Sequence, residues 1–100
     1  MRQLDLDKRW QEKQGLAVAG VRPRPGFGEQ AGEQARTPEG VPRWIVSAVT
    51  SGGEMLAVTI PAATAPELPR FAPVTFPGLI AGGSSSGLWF AADGVEVSGG

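Results

Sequence analysis

Trp44 and Trp89, together with Arg22, Arg24, Arg36, Arg43 and Arg70, are the residues whose types suit a definable chemistry. Indole rings offer flat surfaces on which bases stack, and long cationic side chains on edge or loop segments reach phosphate oxygens. Arg22 and Arg24 flank prolines in an extended segment, Arg36 sits in a long loop, Arg43 precedes Trp44, and Arg70 precedes Phe71. Reaction chemistry has poorer material. With no His and no Cys, the usual zinc, haem and iron–sulfur ligands are missing, as are the Ser-His and Cys-His nucleophile pairs. Asp93 and Glu96 are close in sequence but fall on an exposed strand end rather than converging in a cleft. Ser84, Ser85 and Ser86 lack a base, and Gly82-Gly83 lacks the following Lys-Ser/Thr and helix of a phosphate loop. Neither catalytic residues nor a metal, cofactor or small-molecule substrate is expected.

The elements that must position these residues come from one small domain of 100 residues with 41% hydrophobic residues, 15 Gly and 9 Pro. The net charge of −1 argues against a uniformly basic nucleic-acid binder. It is a sum of unlike halves. Residues 1–50 carry 8 basic and 6 acidic residues, a balance of +2, and residues 51–100 carry Arg70 against Glu54, Glu67, Asp93 and Glu96, a balance of −3. The N-terminus is charged where a signal peptide needs an apolar run, no stretch is apolar enough to span a membrane, and cysteine is absent. A cytoplasmic protein without membrane contact is expected.

Residues 1–14 read as an N-terminal arm, mobile or a short helix, in which Leu6 and Trp10 share a face. Lys8, Arg9 and Lys13 would form a basic face there, diluted by Asp5, Asp7 and Glu12. Leu16 to Val21 is the first strand, ended by prolines at 23 and 25. Residues 26–42 read as a long mobile loop, with Phe27 as a plug or a stacking finger. Arg43–Ser51 and Glu54–Ile60 form a hairpin about a two-residue Gly52-Gly53 turn. That turn pairs Val49 with Leu56, Ser47 with Val58 and Ile45 with Ile60. It puts these residues on the core face and turns Trp44, Val46 and Ala48 outward with Met55, Ala57 and Thr59. Residues 71–76 are an edge strand with Val74 and Phe76 on one face, residues 82–87 a flexible turn, and 88–93 a strand with Trp89 outward. A bulge at Gly94 leads to Val95 and Val97, and residues 98–100 fray.

The resulting expectation is an all-β domain over residues 15–97: a small five-stranded OB-like Greek-key barrel with a long loop after the first strand. An SH3-like barrel fits the pattern nearly as well.

Three segments carry a resemblance: Gly40-Val-Pro-Arg-Trp-Ile-Val46 opening the hairpin, the Pro-rich Leu68 to Leu79, and Leu88-Trp-Phe-Ala-Ala-Asp-Gly-Val95. In these the chain resembles the actinobacterial plasmid proteins described as replication, integration and excision activators of integrative conjugative elements. Its layout also looks like the filamentous-phage gene-five type of single-stranded DNA-binding protein, an OB-like barrel that dimerises. The resemblance implies a homodimer that binds single-stranded DNA during transfer or replication of a mobile element. Trp44 and Trp89 would stack on bases and Arg22, Arg24, Arg36, Arg43 and Arg70 would hold phosphates. The phage-type proteins stack partly on tyrosines, of which this chain has none. The alternative is a regulatory or protein-interaction module with the same barrel and no nucleic-acid affinity.

Overall fold

The computed structural model describes residues 3–5, 8–26, 32–84 and 87–97, with the backbone alone for residues 3–5, 8 and 84. Leu6, Phe27, Ser85, Ser86 and the tail 98–100 lie outside the described residues, and with them the expectations placed on those positions. The described chain is mostly strand with one short helix. In order it runs β1 (Gln3–Asp5), α1 (Lys8–Gln14), β2 (Ala17–Pro23), β3 (Arg43–Val49), β4 (Met55–Pro61), β5 (Val74–Thr75), β6 (Ile80–Ser84), β7 (Gly87–Ala91) and β8 (Glu96–Val97). No helix among the described residues is long and apolar enough to cross a membrane.

The central hairpin forms, but not about the turn that its glycines suggest. Thr50 N donates to Glu54 O at 2.8 Å, Gly53 N donates to Thr50 O at 3.0 Å, and Glu54 N donates to the Thr50 hydroxyl at 3.1 Å. Gly53 has φ +87° whereas Gly52 does not enter the positive region. This excludes a type I′ turn, which needs positive φ at both central residues, and makes a three-residue loop, Ser51-Gly52-Gly53, closed by a left-handed glycine. One extra loop residue slips the register by one. Trp44 pairs with Ile60, Val46 with Val58, and Ala48 with Leu56.

Because side chains alternate with period two, that slip exchanges the faces of β3. The expected core residues Ile45, Ser47 and Val49 turn outward, while Val46 and Ala48 are fully buried and Trp44 packs against the core. On β4 the expected face holds: Val58 and Ile60 are buried. The core is completed by Leu16 and Val18 of β2 and by Val74, Phe76 and Leu79. Each such side chain contributes about 1.5–3 kcal/mol by leaving water.

Six strands form one mixed sheet in the order β1-β6-β7-β4-β3-β2, antiparallel except for the parallel pair β4–β7; β5 and β8 form a separate antiparallel pair. The ladder is not closed into a barrel. The free edge of β2 is tied to the segment that enters β5. Ala17 and Pro73 form an isolated bridge, Val18 N donates to Ala72 O, and Val74 N donates to Leu16 O, both at 3.0 Å. β2 bulges at Ala19, between Val18 and Gly20, where this second pairing ends. The expected flexible turn at 82–87 is strand up to Ser84, and the expected bulge at Gly94 is a break between β7 and β8.

The described part of the first long loop is pinned rather than free. Ala35 is buried; its N–H donates to Arg24 O and its carbonyl accepts from Arg43 N, both at 2.8 Å. The N-terminal segment is docked as well. Trp10 packs on the core, and Gly15, at φ +65°, ends α1 by donating to the carbonyls of Gln11 and Glu12. Gln11, 3% exposed, places its amide against the backbone of Phe76. Nε2 donates to Phe76 O at 3.0 Å and Oε1 accepts from Phe76 N at 2.6 Å. The side chain thereby stands in for a strand partner where the chain turns between β5 and β6.

Candidate nucleic-acid interface

Register defines the outer face of the sheet, since residues paired across strands lie on the same side. One row reads Arg22–Ile45–Thr59–Ala91–Ile80, and the next reads Gly20–Ser47–Ala57, continued on β7 by Trp89 and on β6 by Gly82. Arg43 opens β3 opposite Pro61 at the upper end of the same face. Apart from Ile45 and Ile80, the row partners of Trp89 and Arg22 are small, so the face is a shallow trough. On β1, at the sheet edge away from β2, the first row continues to Asp5 opposite Ile80.

Trp89 is half-buried because its ring lies on the glycine opposite. A Cβ placed on Gly82 would meet the Trp89 ring at 2.2 Å, well inside any real contact. Gly82 is therefore the seat of the indole, a cross-strand pairing in which an aromatic covers bare backbone. Gly82→Ala is expected to lift the indole off the sheet. The measurement is tryptophan emission, which should shift to the red and become more quenchable by acrylamide; an unchanged spectrum would show that the ring does not rest there.

The arginines separate by position. Arg22 is exposed on β2 beside Ile45. Arg24, just past β2, reaches across β3, and its Nη1 donates to the Thr59 hydroxyl on β4 at 2.6 Å. Its guanidinium is thus laid onto the face beside Thr59, whose partner Ala91 stands two residues along β7 from Trp89, a diagonal of about 7–8 Å between the Thr59 and Trp89 backbones. Arg43 is half-buried at the start of β3, and its carbonyl accepts from Arg24 N at 3.1 Å and from Gln34 Nε2 at 2.7 Å. Arg36 is exposed in the pinned loop, bridged to Pro42. Arg70 is exposed on the far side of β2, its guanidinium 5.7 Å from the Phe71 ring centre.

Trp44 does not join the face. It points inward, packs on the core, and donates its indole N–H to Ala62 O at 2.9 Å. The expectation that it stacks on a ligand is corrected by the same one-residue slip that corrects the core. Sequence reasoning also missed Thr59 as the anchor of Arg24, Gly82 as the seat of Trp89, and the exposed Phe71. The last had a local signal, an aromatic among prolines outside any apolar alternation; the other two depend on pairing alone.

Among the described residues no group of three or more side chains could hold a metal ion. The arrangement can stack a planar group on Trp89 and neutralise anionic oxygens with Arg22, Arg24 and Arg43. No family model matches the chain, and no curated protein or solved structure is significantly similar to it.

Proposed function

We propose that the chain binds single-stranded DNA across the outer face of β3, β4 and β7, with a base on Trp89 and phosphates on Arg22, Arg24 and Arg43. The observation that carries this reading is the convergence of one outward indole and these cations on a face whose other positions on β3, β4 and β7 are uncharged. Stacking on an aromatic needs no particular base, and phosphate neutralisation is indifferent to sequence, so binding is sequence-tolerant.

The fold we propose beneath this is a partly open OB-like barrel. Its support is the strand succession β2–β3–β4–β7–β6, the parallel β4–β7 pair, and the hydrogen bonds that tie β2 to residues 72–74, which lead through β5 into β6. In that fold oligonucleotides lie on the face of the second and third strands and against the loop joining the first and second. Those elements here are β3, β4 and the loop carrying Arg24 and Arg36. Action in transfer or replication of a mobile element, in the cytoplasm and as a homodimer, belongs to the proposal through the resemblance of residues 15–97.

Anisotropy of labelled oligo-dT tests the reading. Binding should weaken with salt, and Arg22→Ala or Arg43→Ala should each reduce the slope of log K against log salt by about 0.7. Absence of binding at micromolar protein in low salt would sink it. A protein-interaction module is the second reading, favoured by Met55 at 60% and Leu88 at 78% exposure. A dimeric scattering mass with tryptophan emission indifferent to oligo-dT would select it.

A further inference from the structure

The trough of small residues has a second end. Phe71 N donates to Val18 O at 2.7 Å, which places Phe71 beside the β2 bulge, on the opposite side of β2 from Ser47. Continuing the Ala17–Pro73 pairing sets Phe71 opposite Ala19, the bulged residue beside Gly20, so the order across the surface is Phe71, the Ala19–Gly20 bulge, Ser47, Ala57, Trp89. Phe71 is 66% exposed, and it is the one non-glycine among the described residues with positive φ, at 63°. A bulky side chain in that region is a genuine outlier. Chain stability alone favours glycine at this position, because the left-handed backbone penalises any Cβ and the exposed ring gains little from burial. What the phenylalanine adds is a ring held out to solvent with the Arg70 cation beside it.

We propose that Phe71, with Arg70, is a second base-stacking platform, and that the bound strand runs across the β-strands from Trp89 to Phe71. The inference rests on the single-stranded DNA reading above and gives it a direction and a length. Four inter-strand steps of about 4.8 Å separate the two rings, about 19 Å in all. A stacked strand advances about 3.4 Å per nucleotide and an extended one about twice that, so about three to six nucleotides fill the path. Between the rings the way is open: a Cβ on Gly20 meets nothing within 4 Å. At the Phe71 end a groove of about 670 Å³ opens, lined by Ala19, Gly20, Val21 and residues 66–70. Charge complementarity selects the occupant. Arg22, Arg24 and Arg43 flank the path and Arg70 stands at its end, a line of cations that suits a polyanion of alternating phosphates and flat bases.

The test is oligo-dT anisotropy with the full chain. Phe71→Gly relieves the left-handed residue, so its melting temperature should equal or exceed that of the parent, while affinity falls about tenfold. Gly20→Leu, whose Cβ meets nothing within 4 Å, should obstruct the path and weaken binding as much. Affinity of the parent should rise with oligonucleotide length up to about six nucleotides and then level off; in Phe71→Gly it should level off earlier. If the parent binds and Trp89→Ala weakens it while Phe71→Gly and Gly20→Leu do not, this path is wrong and the Trp89 site stands. If the parent binds no oligonucleotide, the functional reading and this inference fall together.

Discussion

Trp89→Ala and Trp44→Ala are expected to fail in different assays. Replacing Trp89 should weaken oligo-dT binding by about 5- to 150-fold, the range for losing one base–aromatic stack of about 1–3 kcal/mol. It should cost about 1 kcal/mol or less of stability, since the half-buried ring lies over the backbone of Gly82 on the outer face and is not part of the core. Replacing Trp44 should do the reverse. Its indole packs on the core and its N–H donates to Ala62 O at 2.9 Å, so truncation leaves a cavity and removes that bond. A loss of about 2–4 kcal/mol is expected for a half-buried tryptophan, lowering the melting temperature by about 10–25 °C. Below that temperature Trp44→Ala should bind oligo-dT as the parent does. Thermal melts and anisotropy on both variants check this, and equal loss of binding in the two would contradict the assignment of faces.

Gln11→Ala is expected to destabilise the domain by about 2–3 kcal/mol, though the residue lies on a short polar helix. Its amide satisfies the buried N–H of Phe76 at 2.6 Å; the Phe76 carbonyl keeps a second bond from Leu79 N at 3.2 Å. An orphaned buried donor costs about 1–3 kcal/mol, and the vacated amide volume adds to it. For a domain of this size the melting temperature should fall by about 10–20 °C. Gln11→Leu restores the volume but not the acceptor and should recover only part of the loss. Gln11→Glu keeps an acceptor for the N–H but sets a second oxygen against the Phe76 carbonyl, so it should not restore stability either. A melting temperature within about 3 °C of the parent in Gln11→Ala would show that the clamp carries no weight.

How far the chain's own pattern reaches can be seen strand by strand. On β4 the series Leu56, Val58, Ile60 alternates with Met55, Ala57 and Thr59, and the buried face is the one the alternation names. On β3 the residues Trp44, Ile45, Val46, Ala48 and Val49 are apolar on both parities, so periodicity cannot choose a face. The choice passes to the loop. Gly52-Gly53 resembles a two-residue turn, and only the closing pair Thr50–Glu54, with Gly53 left-handed, shows three residues. For Gln11 and Gly82 there is nothing local to read: each matters through a partner 65 residues away for Gln11, or across a hairpin for Gly82.

What the amino-acid sequence by itself determined was where β2, the central hairpin and β7 lie, and that turns fall at its glycines and prolines. Those properties are local, set by side-chain branching and backbone freedom within a few residues. Tertiary structure decided which side each ring faces. Pairing moves in steps of one residue while side chains alternate every two, so a single added loop residue sent Trp44 into the core and left the outer face to Trp89, Arg22, Arg24 and Arg43.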